Sequence, residues 1–219
     1  MSLLKIAAER LADKDHIYWL LGASCTGKTS ACNHLASTGA AILDMDSRIF
    51  GSYLEKYSET RHPASCAWLK RTDAMQWVLS LSLEEFGNLN EATNVEILDL
   101  FAEEVQDRAE TTPLVVDGGL SYPHLLARVL PVDNVLCLQR EEEKRAATWE
   151  CDENKLRMKN MVLALPDGQN LWNTFRHCDE TIARTIEDQC RESGIRFVEI
   201  MEKQSMADVA STIVRLWNL

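Results

Sequence analysis

The chain is short of basic residues, of glycine and proline, and of paired cysteines, and each shortage narrows what it can be. Lysine and arginine number 23 against 34 aspartates and glutamates, a formal net charge of −11. A protein that tracks nucleic acid carries a basic face, so this balance excludes a broad DNA or RNA footprint and leaves room only for a local basic cleft. Glycine and proline, at 9 and 5 of 219 residues, are too few for a low-complexity linker, and no internal repeat is present. The seven cysteines, at 25, 32, 66, 137, 151, 178 and 190, form no C-x-x-C pair. An odd, scattered set fits reduced thiols in a cytoplasmic protein. Long apolar runs are missing too. The opening MSLLKIAAERLADKD is interrupted by Lys5, Glu9 and Arg10, so it reads as an amphipathic helix and not as a signal peptide or membrane span. No membrane and no nucleic-acid partner is expected.

What is present is an apolar fraction of 46%, enough for the core of one ordinary α/β domain. Five short apolar runs bounded by turn or charged residues read as strands buried on both faces: IYWLL (17–21), AAILD (40–44), PLVVD (113–117), NVLCL (134–138) and RFVEI (196–200). Helical patterns alternate with them. Residues 28–38 follow a glycine loop. Residues 90–108 place Ile97, Leu98, Leu100, Phe101 and Val105 on one face. Residues 205–217 carry Met206, Val209, Ala210, Ile213, Val214 and Trp217 at helical spacing, with Ser205 as the N-cap. Strands alternating with helices predict a mostly parallel sheet covered on both sides. Two long intervals, 45–112 and 139–195, break the rhythm and read as helical insertions at strand ends, where such segments shape a site.

The stretch Gly22-Ala23-Ser24-Cys25-Thr26-Gly27-Lys28-Thr29, followed by Ser30, fits G-x-x-x-x-G-K-[ST] between a strand and a helix. Its glycines let successive backbone N–H groups turn onto phosphate oxygens, and the helix behind adds the positive end of its dipole. Lys28 is placed to bridge the outer phosphates and Thr29 to meet Mg²⁺. The loop therefore predicts a nucleoside triphosphate. A metal partner is expected at the end of a neighbouring strand, where VVDGG supplies Asp117 with Gly118 and Gly119 beside it. In LDMDSR, Asp44 and Asp46 share a face if the chain stays extended and diverge if a helix begins at Met45. Either acid is a candidate to position an acceptor hydroxyl and take its proton. Asp46 is equally a candidate cap for the helix that follows.

These four features, GASCTGKT, LDMD, VVDGG and the late strand RFVEI with its following loop, resemble the P-loop small-molecule kinases of the adenylate, shikimate and gluconate kinase type. The likeness runs through nearly the whole order of elements, but its motifs occupy few residues. It implies a three-layer P-loop NTPase fold with a five-stranded parallel sheet in the order 2-3-1-4-5. It also implies a substrate-binding insert over about 45–112 and a lid over about 140–165 of the sequence. ATP and Mg²⁺ become the expected ligands, with a small molecule as phosphoryl acceptor. By the same resemblance Asp44 and Asp46 are acids on the substrate side. The lid cations come from Arg140, Lys144, Arg145 and Arg157, with Arg145 as the catalytic candidate, and MEKQSMADV lies along the adenine ring.

The sequence also departs from that group. No arginine follows Asp117-Gly118, which argues against a nucleoside-monophosphate acceptor. An acid, Arg48 and the pair His62-Pro63 are similar in order to the zeta-toxin kinases, which act on sugar nucleotides. Within the insert Arg61 and His62, in a polar loop, are substrate candidates alongside Arg48, Gly118 and Gly119, while Trp77 reads as core. His124 near Asp117 is a further candidate. Cys25, at a helix N-terminus, is expected to have a lowered thiol pKa if it has a redox role, and otherwise fills a place where a small residue is needed. A GTPase switch needs N/T-K-x-D after a late strand; QREEEK and MEKQ stand there instead. A nucleotide-binding regulator without turnover is the alternative to a kinase.

Overall fold

In a computed structural model describing residues 1–108 and 112–219, the chain forms one five-stranded, all-parallel sheet in the order β2-β3-β1-β4-β5. The strands are β1 (Ile17–Leu21), β2 (Ala41–Asp44), β3 (Leu114–Asp117), β4 (Val135–Gln139) and β5 (Arg196–Glu199). All five fall on the apolar runs, with ends moved by a residue at most. The last residues of the first long interval, 109–111, lie outside the described residues.

Side chains alternate across each strand, and the two faces meet different helices. Ile17, Trp19 and Leu21 of β1 join a core with α1 (Leu3–Leu11) and the 23-residue helix α6 (Leu83–Val105). Trp19 meets Phe101 edge-on at 4.9 Å, and its buried indole N–H donates to the Gly118 carbonyl at 2.9 Å. Leu20 points the other way, into a core with α2 (Lys28–Leu35) and α11 (Met206–Trp217). The faces expected of the α6 and α11 patterns are the faces that pack. α6 starts on a capping box, with Ser82 accepting from Glu85 N and Glu85 returning the bond; α11 repeats the device with Ser205 and Asp208.

The first insert is helical, with α3 (Met45–Ser47) running into a π-helical turn at Arg48–Ser52, then α4 (Pro63–Leu69) and α5 (Ala74–Val78). After β3 comes the short α7 (Pro123–Leu126). The second insert holds α8 (Glu142–Thr148), α9 (Glu153–Leu163) and the 26-residue α10 (Gly168–Ser193). It forms a small core with the end of the first insert, in which Trp149, Trp172 and Phe175 pack with ring centroids 5.2–5.7 Å apart, beside Val162 and Leu79 of the first insert. Among the described residues no helix is long and apolar enough to cross a membrane.

The parallel register places the chemistry. Asp117 is level with Leu20 on one side and with Asp44 on the other. The glycine loop, Asp117 and Asp44 therefore all emerge from the carboxyl edge of the sheet, where open α/β sheets bind ligands.

Candidate active site

The loop after β1 is a tight backbone turn braced from within. Gly22, Cys25 and Gly27 all have positive φ, at 146°, 66° and 90°. A side chain on Gly22 would stand 2.6 Å from the Leu138 carbonyl oxygen, so only glycine fits there. The Thr26 hydroxyl is buried and donates to the Ala23 carbonyl at 2.9 Å; it holds the loop's shape. Lys28 opens α2 and folds its ammonium back onto the carbonyls of Gly22 and Ala23, at 2.8 and 3.0 Å. Burial lowers its pKa, while Asp117 and then Asp46 pull it back up.

Ser24, Cys25, Gly27, Lys28, Thr29, Ser30, Asp46 and Asp117 line one cavity of about 460 Å³. Arg140, Thr148, Asp152, Asn154 and Lys155 close it from the side of the second insert. Asp117 is almost wholly buried. Its Oδ1 has no hydrogen-bond partner, and burial pushes its carboxyl above the usual range against the pull of the Thr29 hydroxyl and Lys28. An orphaned carboxylate oxygen beside a threonine hydroxyl is a donor set that suits Mg²⁺, which takes one or two protein oxygens and fills its octahedron with phosphate oxygens and water. Among the described residues no group of three or more His, Cys, Asp or Glu could hold a metal by itself.

The two acids of LDMD part company at Met45. Asp44 caps α3, accepting from Ser47 N at 3.1 Å and from the Ser47 hydroxyl at 2.5 Å. The cap is therefore Asp44 and not Asp46. Asp46, one residue into the helix, turns toward the loop and lines the cavity. Its surface is exposed to water, while the protein crowds the side that faces the loop. That crowding raises its pKa, opposed by Lys28 and increased by Asp44.

Several expected residues lie elsewhere. Arg48 pairs with Glu104 at 3.0 Å. Arg61 grips Asp99 at 2.8 and 2.9 Å, and His62, buried, meets the same carboxylate at 3.1 Å. They tie the insert to α6 and face no cavity at the loop. Arg145 is buried in α8, where its charge acts on Glu180 of α10, and Arg157 is exposed on α9. His124 bonds Gln189 at 2.7 Å and Glu91 at 3.2 Å. Gly118 and Gly119 keep positive φ and leave space: a side chain on Gly118 would press on Lys28 Cε at 3.2 Å. Cys25 goes against the expected direction. Burial raises its thiol pKa, and the opposing pull of Lys155 does not reverse this; the lid covers the loop and withholds water from the thiolate.

Of the expected cations Arg140 does line the cavity, and a second one, Lys155, joins it from α9. Asp152 caps α9 by accepting from Asn154 N and Lys155 N, at 3.0 and 3.1 Å, which aims the helix start at the loop. The Lys155 ammonium lies 4.9 Å from the centroid of Trp149. The acidic cap Asp152 followed by two polar residues was the readable signal. Arg140, at the end of β4, donates to the Cys25 carbonyl at 3.2 Å. It also lines an adjoining space of about 490 Å³ with Gly27, Lys144, Gln204 and Met206, beside the loop that follows β5. A larger groove of 710 Å³ along α2 and α11 has neither the glycine loop nor its acids.

No protein-family model matches the chain, and no curated protein matches it. Among solved structures, TT1252 from Thermus thermophilus is similar in fold, with a TM-score of 0.54 at 18% identity over 93% of this chain and 97% of that one. At that identity the likeness speaks to the fold alone.

Proposed function

We propose that the protein is a P-loop small-molecule kinase that transfers the γ-phosphoryl group of ATP to a hydroxyl of a small acceptor. The observation that carries the reading is the convergence, on one cavity, of the glycine-loop amides, Lys28, Thr29, the orphaned Asp117 oxygen and Asp46. Bound Mg²⁺ supplies charge neutralisation across the phosphates, and Thr29 with Asp117 would hold it. The loop amides and the start of α2 bind the phosphate oxygens. Lys28 leaves the loop carbonyls and stabilises charge on the transferring group. Asp46 orients the acceptor hydroxyl and accepts its proton. Arg140 and Lys155 close the cavity from the lid side and exclude water, which would otherwise compete as acceptor. The adjoining space lined by Arg140 and Met206 suits the adenine base, since a guanidinium plane and a polarisable thioether both favour contact with a π-face.

The test is ADP release with ATP, Mg²⁺ and acceptor present. Acceptor-dependent release by the native chain is expected, and Lys28→Ala should lose it while keeping the native circular dichroism spectrum. Removing one such charge contact commonly costs ~10²–10³ in rate. A folded Lys28→Ala protein with native turnover would refute the assignment, and ATP binding without turnover would favour a regulator.

A further inference from the structure

On the acceptor side of the loop a smaller cavity of about 170 Å³ opens between Gly22, Ala23 and the segment after β3. It is small beside the 460 Å³ cavity next to it and opens to solvent, so it receives the reactive end of an acceptor. Asp46 stands in one wall, Ser24 and Ser121 offer hydroxyls, and Leu120, Ile182 and Ile186 form an apolar side. Lys28 is the one cation among its described lining residues, and it is turned onto the loop carbonyls.

An anionic acceptor needs a counter-charge beyond the phosphates; Arg140 and Lys155 line the larger cavity on the phosphate side and not this one, and three arginines of the first insert are committed elsewhere. Arg48 is held by Glu104 at 3.0 Å, Arg61 by Asp99 at 2.8 Å and Arg71 by Asp73 at 2.8 Å; none of the three lines the cavity. A carboxylate or phosphate entering here would meet Asp46 as a like charge and find no arginine fork to receive it. A hydroxyl finds Asp46 to accept its proton and Ser24 and Ser121 for its neighbours, while a carbon skeleton lies against Ile182 and Ile186. An amino group gains from Asp46.

Resting on the kinase reading above, we infer that the acceptor is an uncharged or cationic hydroxyl compound with an apolar flank, such as a polyol, a nucleoside or an amino alcohol, and not a phosphate ester or a carboxylate. The test uses the full chain with γ-labelled ATP and Mg²⁺. A protein-free small-molecule cell extract is split by anion exchange at neutral pH into unretained and retained fractions, with Lys28→Ala as the blank. Label should enter compounds of the unretained fraction about tenfold or more faster than those of the retained one, since a site with no partner for a buried charge discriminates strongly. Equal or faster labelling of retained compounds overturns the inference and leaves the kinase reading standing. Labelling of neither fraction overturns both.

Discussion

Only Met45 separates Asp44 from Asp46, and the helix that begins there sends their side chains apart. Asp44 is closed into a cap with Ser47, which in the proposed mechanism leaves Asp46 to accept the proton. Enclosure raises its pKa, and the sign for activity follows. A base must be ionised, so a carboxyl held above the usual range loses its ionised form earlier as pH falls. The acid limb of kcat/KM is therefore expected above the ordinary carboxylate pKa, and it should vanish in Asp46→Asn, whose remaining rate should be lower by about 10²–10⁴. A pH profile of both proteins checks this. An unchanged acid limb in the variant would remove Asp46 from the role. The glycine-loop half of the candidate site was legible because G-x-x-x-x-G-K-[ST] is a local backbone device whose residue types follow from its dihedral angles. The acceptor half was not, since which acid caps and which faces the cavity depends on where α3 begins.

Single elements carry the next two predictions. Gly119, at φ 76°, faces Met45 so closely that a side chain would stand 2.2 Å from Met45 Cγ. Met45 is fully buried and has nowhere to retreat. Gly119→Ala should cost about 1–3 kcal/mol from overpacking, before any added backbone strain, and thermal unfolding with and without ATP will read it. In α6, Asp99 is fully buried and receives Arg61 and His62 together. Asp99→Asn weakens the hold on buried His62 and leaves half-exposed Arg61 with Glu103 as its charge partner, and should destabilise by about 1–3 kcal/mol, the usual cost of a buried polar group left poorly satisfied. At a temperature where the variant is still folded its KM for ATP should be native. A changed KM with native stability would return Arg61 and His62 to the site. In sequence a polar loop with arginine, histidine and proline reads as a site. A fully buried aspartate across the fold, 37 residues further on, makes it a clamp.

At the scale of the whole molecule the second insert packs beside the loop through an aromatic core shared with the first insert, and Lys155 reaches the cavity from it. Lys155→Ala should slow phosphoryl transfer by about 10²-fold, in the range for removing one preorganised charge, and raise the share of ATP lost to water. Measuring ADP release and labelled product in parallel separates the two. Equal loss from Arg145→Ala alone, with Lys155→Ala native, would reverse the assignment of the lid cation. Arg145 looks the better candidate on the linear chain, but burial against α10 takes it away.

The chain alone determined its layers, since short continuous apolar runs are buried on both faces of a parallel sheet and the period-3.6 faces of α6 and α11 are buried on one side. It determined the glycine loop, whose backbone requirements are met within nine residues. Only the tertiary structure decided which charges line the cavity. An arginine or an aspartate reads alike whether it meets a substrate or another side chain, and the choice is made by partners brought from distant elements, such as Glu104 for Arg48 and Asp99 for Arg61. Burial and pairing are properties of that three-dimensional neighbourhood, and no local pattern along the chain encodes them.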